Sequence, residues 1–242
     1  METSLHRQLK TIYAGEPART EERLEGFRID AIRGKQLIEI QHGSLAAIRD
    51  KISRLLEKHH VLVVKPLIMQ KTLVRQDSKG GSVLSRRRSP KVETVLSLFD
   101  ELIYFTRVFP HRNLTLETPL VEVDEFRYPG HGRRRRWREN DFLVEDQRLV
   151  SIRETHRFKT NQDLLALLPP TLPQQFHTGH IAQGLEIQRW IAQRIAYVLR
   201  KCGAATECGK AGNARLYELV LPPAKKKTSS LVEGSSCSDF SV

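Results

Sequence analysis

Cysteine is scarce. The chain has three, Cys202, Cys208 and Cys237, among 242 residues. An odd number at these spacings builds neither a disulfide framework nor a zinc knuckle, which excludes a disulfide-stapled secreted module and fits a reducing compartment. Long apolar runs are also missing. The longest, Val61 to Met69, is interrupted by Lys65 and Pro66 and falls well short of the roughly 20 residues that span a bilayer. The opening Met1-Glu2-Thr3-Ser4-Leu5-His6-Arg7 has no apolar signal core. These absences predict a cytoplasmic protein with no membrane partner. There is no phosphate-cradling glycine loop, Rossmann fingerprint or serine nucleophile elbow, which removes the commonest nucleotide-binding and serine-hydrolase classes. Acidic residues are in deficit: 28 Asp and Glu face 40 Lys and Arg, a formal net charge of +12. A balance that basic calls for a polyanionic partner, DNA first and RNA second.

Periodicity divides the chain. Leu5, Leu9 and Ile12 predict a helix over 4–14. Strands are expected over Leu24–Arg33 and Gln36–Gln41, joined by the Gly34-Lys35 turn. Ser44 is a plausible N-cap for a helix carrying Leu45, Ile48, Ile52, Leu55 and Leu56 on one face. Val61-Leu62-Val63-Val64 then reads as a strand buried on both faces. A helical crossover between two strands implies a parallel addition, so the core is a mixed α/β sheet flanked by helices. Residues 76–91 read as a loop, 92–105 as a helix, and Leu114–Leu116 and Leu120–Val123 as strands broken at Pro119. A basic insertion, Arg133–Arg136 with Trp137 and Arg138, could hold phosphates and stack an unpaired base. Leu149–Phe158 is a further strand, and Pro169-Pro170 marks a boundary. The expected organisation is a domain over 1–170, a second over 171–221, and a disordered tail over 222–242.

Chemistry concentrates on the first two strands. Alternation puts Glu39 and Gln41 on one face, away from Ile38 and Ile40, and a hairpin brings Asp30 to the same cluster. Two carboxylates and an amide converging on a sheet suit a hard divalent cation better than a core. Asp30 and Glu39 are the candidate metal ligands. Gln41 is the candidate group for orienting water or phosphate. His6, on the first helix, could face the cluster. Lys51 and Lys65 read as ordinary surface lysines. This pattern resembles the active-site strands of the PD-(D/E)XK nuclease superfamily, with Gln41 in the lysine position; the resemblance also implies one more acid from the first helix or the segment after it, for which Glu16 and Glu22 are the alternatives. The order of elements over residues 4–68 is similar too. The resemblance implies a restriction-endonuclease-like fold, Mg²⁺ or Mn²⁺ as cofactor, hydrolysis of DNA phosphodiester bonds, and sometimes a homodimer. It equally implies an alternative, a nucleic-acid-binding or regulatory protein that has lost catalysis, because an amide at position 41 carries no charge.

The last unit has a different pattern. Thr178 could cap a short helix over His180–Gln183, and Ile187–Gly203 is a longer one with Ile187, Ile191, Ile195, Val198 and Leu199 on one face. Two strands joined by a flexible turn follow, over 204–219. Helix, turn, helix and hairpin resemble a winged helix. That resemblance puts Gln188, Arg189, Gln193 and Arg194 toward a DNA groove and Lys210 and Arg215 on the wing at phosphates. His177 and His180 have metal-like spacing but lack further ligands and read as surface. Cys202 reads as a small core residue.

Overall fold

The computed structural model of the chain describes residues 2–16, 19–130 and 141–220. The Arg133–Arg138 run with Trp137, and the 222–242 tail, lie outside these residues. Helix α1 (Ser4–Ala14) occupies the expected span. Thr3 Oγ1 accepts from the His6 amide at 3.3 Å to start it, and Leu5 and Leu9 are fully buried on its inner side. The stretch expected as one strand from Leu24 is a hairpin, β1 (Arg19–Leu24) and β2 (Phe27–Arg33). Glu25 and Gly26 turn it with φ of 51° and 82°, the doubly left-handed geometry that matches strand twist in a tight hairpin. Strand β1 is mostly charged and mostly exposed, with Leu24 its one apolar residue, so no apolar alternation marked it in the sequence. A second turn, with Gly34 at φ 60°, leads to β3 (Gln36–Ile40).

The connection after β3 begins with Ser44, whose Oγ accepts from the Ala46 amide at 3.3 Å. One 3-10 turn (Leu45–Ile48) and α2 (Arg49–Leu55) follow. Strand β4 (His60–Val64) then enters parallel to β3, as the crossover required. Strand β5 (Leu67–Gln76) comes next and pairs antiparallel with β6 (Val83–Arg88). This second strand lies in the span expected as a loop. Every residue of β6 is exposed: an arginine-rich edge strand with no buried face carries no apolar period. Helix α3 (Leu98–Leu102) is shorter than the helix expected over 92–105. Strand β7 (Leu114–Pro129) is one element where two were expected. Pro119 falls at the joint where β7 changes neighbours, from β4 at Leu114–Glu117 to β5 at Leu120–Arg127. A break in the ladder tolerates a residue without an N–H. Strand β8 (Phe142–Phe158) lines the other edge of β7. The result is a mixed sheet in which β4 and β5 follow one another along β7.

Apolar layers cover both faces. On one, Leu5 and Leu9 of α1 pack on Ala31, Ile38, Ile40, Leu62, Val64, Val121 and Val123. On the other, Leu37, Val61, Val63, Leu114 and Leu116 meet Ile52 of α2 and Phe99 of α3. Helix α4 (Asn161–Leu165) follows the sheet, then α5 (Thr178–Gly184), α6 (Arg189–Lys201) and a hairpin of β9 (Ala205–Ala211) and β10 (Ala214–Leu219). The cap of α5 is His177 and not Thr178: its Nδ1 accepts from the Gly179 and His180 amides at 3.0 and 3.3 Å, and its ring stacks on His180 at 3.8 Å.

The second apolar layer continues without a break into Phe176, Ile181, Ile195, Val198, Leu199 and Tyr217. The units on either side of Pro169-Pro170 therefore share a core. Cys202 is part of it. Its thiol donates to the Phe109 carbonyl at 3.3 Å, and burial pushes its pKa up to about 12. Asn161 Nδ2 donates to the Cys202 carbonyl at 2.8 Å across the same seam. An Ile195→Ala substitution should cost about 2–5 kcal/mol through lost burial and a residual cavity. Because the core is shared, urea unfolding of a Trp137→Phe chain followed by far-UV circular dichroism and by Trp190 fluorescence should give one coincident, shifted transition.

Candidate active site

The structure brings Asp30 and Glu39 together, though not by simple alternation. The β2–β3 ladder pairs Ala31 with Ile38 and stops there. Past that point the strands part, and the Asp30 side chain enters the opening: Oδ2 accepts from the Ile40 amide at 2.8 Å. His6 of α1 lies 3.4 Å from Oδ1, so the first helix does face the cluster. Glu39 is only 7% exposed. Its Oε1 takes an ion pair from Lys51 of α2 at 2.6 Å, and Lys51 also donates to the Arg28 carbonyl. The other oxygen, Oε2, is buried and accepts no hydrogen bond of ordinary geometry among the described residues, while the Asp30 backbone N–H nearby still favours the charged carboxylate.

This environment divides the two acids. Burial, and then the neighbouring Asp30 charge, push Glu39 above the ordinary carboxylate range, with Lys51 offsetting only part of the effect. Burial opposes ionisation of Asp30 too, but His6 and the Ile40 amide outweigh it and hold Asp30 below its usual value. Asp30 is thus a fixed anion and Glu39 a reluctant one.

The lysines are not ordinary surface residues. Lys51 is mostly buried against Glu39. Lys65 is 5% exposed and pins the loop after β3, donating to the His42 and Gly43 carbonyls at 3.0 and 2.6 Å and pairing with Glu101 at 3.2 Å. Gln41 follows the end of β3, and its Nε2 donates to the Ser44 carbonyl at 2.8 Å. Its amide nitrogen therefore holds the turn. Glu22 pairs with Arg19 at 3.6 Å. Among the described residues no contact joins Glu16 or Glu22 to the pair. No group of three His, Cys, Asp or Glu side chains converges on one point among the described residues.

Two carboxylates still suit one kind of cation. Mg²⁺ binds through one or two carboxylates, keeps several waters and takes substrate phosphate oxygens. The Glu39 carboxyl, with one oxygen outside the Lys51 pair, and the neighbouring ionised Asp30 fit such an ion.

The C-terminal unit sorts its expected contacts into two sets. Arg189 and Gln193 line an open groove of about 320 Å³ together with Tyr197, Arg200 and the hairpin residues Asn213 and Arg215. Residues 189, 193, 197 and 200 form one stripe along α6, a 3.6-residue period. Tyr197 and Arg200 were legible from that spacing and were missed. Gln188 and Arg194 face elsewhere. Gln188 caps α6 and accepts from the Trp190 indole. Arg194 stacks over Trp190 at 4.5 Å and bonds Asp100 of α3 at 2.6 Å. Lys210 and Arg215 sit opposite each other in the hairpin, with Arg215 paired to Glu207 at 3.2 Å. A larger cavity, about 670 Å³, lies between the loop after β3 and the start of α6 and does not include the strand acids.

No solved structure matches the chain. An uncharacterized protein of Treponema pallidum (strain Nichols) is 27% identical over 223 residues, covering 91% of this chain and 86% of that one. No helix among the described residues is long and apolar enough to cross a membrane. A family profile described as a domain of unknown function (DUF8091) matches residues 3–159, from α1 to the end of β8. By that match over more than half its length, the chain belongs to this family.

Proposed function

We infer that the protein is a metal-dependent nuclease that hydrolyses DNA phosphodiester bonds at Asp30 and Glu39, with the C-terminal unit acting as a winged helix that holds the duplex. The observation that carries this reading is the buried Glu39 carboxyl within electrostatic reach of the ionised Asp30 where the β2–β3 ladder ends. A buried carboxylate oxygen without a hydrogen bond of ordinary geometry calls for a partner, and a hard cation is one that fits. The parallel pairing of β3 and β4 across α2 supports this reading, although three strands, β1 to β3, stand between α1 and α2 where two were expected.

Mg²⁺ or Mn²⁺ held by these two carboxylates would polarise a phosphate oxygen and lower the pKa of a bound water. The remaining roles fall to this chain's own groups. Lys51 supplies the positive charge that Gln41 lacks, at the carboxylate instead of two residues along the strand. Gln41, fixed through its nitrogen, keeps its carbonyl oxygen to orient water. His6 holds Asp30 in place. A second reading, binding without catalysis, draws on one observation: Lys51 already compensates Glu39. Purified protein should nick plasmid DNA when Mg²⁺ or Mn²⁺ is added, and Asp30→Asn should not. Retention of DNA without any metal-dependent nicking would favour the second reading.

The α6 groove makes its own prediction. Contacts to three to five phosphates give a slope of about −3 to −4.5 for log affinity against log salt on duplex DNA. An Arg189→Ala/Arg200→Ala double substitution should reduce that slope by about 1.8. Fluorescence anisotropy across a salt series measures it, and an unchanged slope removes the groove from the interface.

A further inference from the structure

We propose a second nucleic-acid site on the sheet itself, a cleft of Arg75, Arg87 and Arg127 that binds single-stranded nucleic acid. The face of the sheet covered by α1 carries Val121 and Val123 of β7 into the apolar layer. Alternation brings Glu125 and Arg127 of β7 to this same face farther along the strand. Arg127 is directly opposite Arg75 of β5. Arg87 of β6 lies diagonally across from Arg75, being opposite Leu73. Three guanidinium groups from three adjacent strands thus share one cleft of about 350 Å³. Like charges placed opposite each other on neighbouring strands repel. Glu125 answers only part of this charge. It pairs with Arg127, and it also holds Lys71 at 2.6 Å and Gln147 at 2.7 Å. Arg75 and Arg87 are exposed, and neither has a carboxylate or hydrogen-bond partner among the described residues.

The remaining walls identify the anion's chemistry. Leu73 forms an apolar floor, Tyr128 and Phe142 stand at the side, and Asp141, engaged in an interaction of its own, puts one carboxylate among three guanidinium groups. The Arg127 guanidinium carbon sits over the Phe142 ring, 3.9 Å from its centroid. Such a stacked guanidinium offers its other plane to a base, a recurrent way of holding unpaired nucleotides. Free guanidinium forks grip phosphate oxygens in pairs. Aromatic walls beside guanidinium groups suit a strand whose unstacked bases can lie against them. Alongside the α6 groove, which meets the opposite apolar layer, this would let the protein hold a duplex and a displaced strand together. The claim concerns binding alone and stands whether or not the protein cuts.

The test uses the full chain with Glu39→Gln, so that cleavage cannot interfere. A fluorescein-labelled 15-nucleotide oligo-dT and a duplex of equal length are titrated by anisotropy across a salt series. Arg75→Glu/Arg87→Glu should weaken oligo-dT binding at least tenfold and lower its salt slope by about 1.4, two phosphates at about 0.7 each. Duplex affinity should change less than twofold. A matched reversal at two exposed arginines elsewhere, Arg23→Glu/Arg112→Glu, controls for net charge and should leave oligo-dT binding within twofold. The proposal is overturned if oligo-dT binding is unchanged in the first variant, if duplex and oligo-dT binding fall together, or if the control loses as much. Circular dichroism establishes that each variant is folded.

Discussion

Glu39→Gln should leave a folded, DNA-binding protein that cuts at least about a thousandfold more slowly than the parent. A metal at a phosphate supplies several kcal/mol of charge stabilisation in the transition state, and each ~1.4 kcal/mol is a factor of ten in rate. The substitution is nearly isosteric and removes a charge that burial already disfavours, so the fold should survive. Lys51 keeps its bond to the Arg28 carbonyl. Cleavage of supercoiled plasmid by the two proteins at equal concentration, with circular dichroism as the folding control, decides the matter. Equal rates would show that Glu39 has no part in the chemistry.

Lys51→Met should have the largest effect on stability. It strands the Glu39 carboxylate in a site of 7% exposure, and breaking a buried pair from one side costs about 3–5 kcal/mol. The pH dependence has a definite sign. Glu39 has a folded pKa above its unfolded one, so its contribution is fully present below the unfolded value and is lost as pH rises through the folded value. Without Lys51 the folded value rises further. The deficit should therefore be large at neutral and alkaline pH and shrink in acid. Glu39→Gln/Lys51→Met removes both charges and should recover most of the loss. Urea midpoints at pH 5 and pH 8 for the single and double variants measure all of this. A deficit independent of pH would mean that Lys51 acts by packing.

The sequence showed the first third of the fold well because its signals are local. Leu5 and Leu9, the Ser44 cap and the Val61–Val64 run each mark an element that the structure contains. It was weaker where burial is one-sided or missing. Charged β1 and exposed β6 have no apolar period to read. Pro119 looked like a break because the joint between β4 and β5 along β7 depends on residues some fifty positions away.

The site was legible in part. Strand alternation pointed to Asp30 and Glu39 as neighbours, which they are, but by a route it did not describe. It could not show that the ladder opens after Ala31 and Ile38, nor that the charge missing at Gln41 is provided from a helix by Lys51. That pairing is tertiary, and a lysine on a helix reads as solvated until the partner is known. Arg194 illustrates the reverse error: its place on α6 suggested a DNA groove, while Asp100 and Trp190 take it to the sheet domain.

The pair of strand carboxylates as a cation site is tested most directly by Mn²⁺ binding itself. Mn²⁺ is titrated into the protein with a duplex of non-hydrolysable phosphorothioate linkages, and the free ion is followed by electron paramagnetic resonance. The wild-type chain should remove Mn²⁺ from solution saturably, and both Asp30→Asn and Glu39→Gln should abolish that uptake while remaining folded. Undiminished Mn²⁺ binding by both variants, or none by the wild type, would contradict the account.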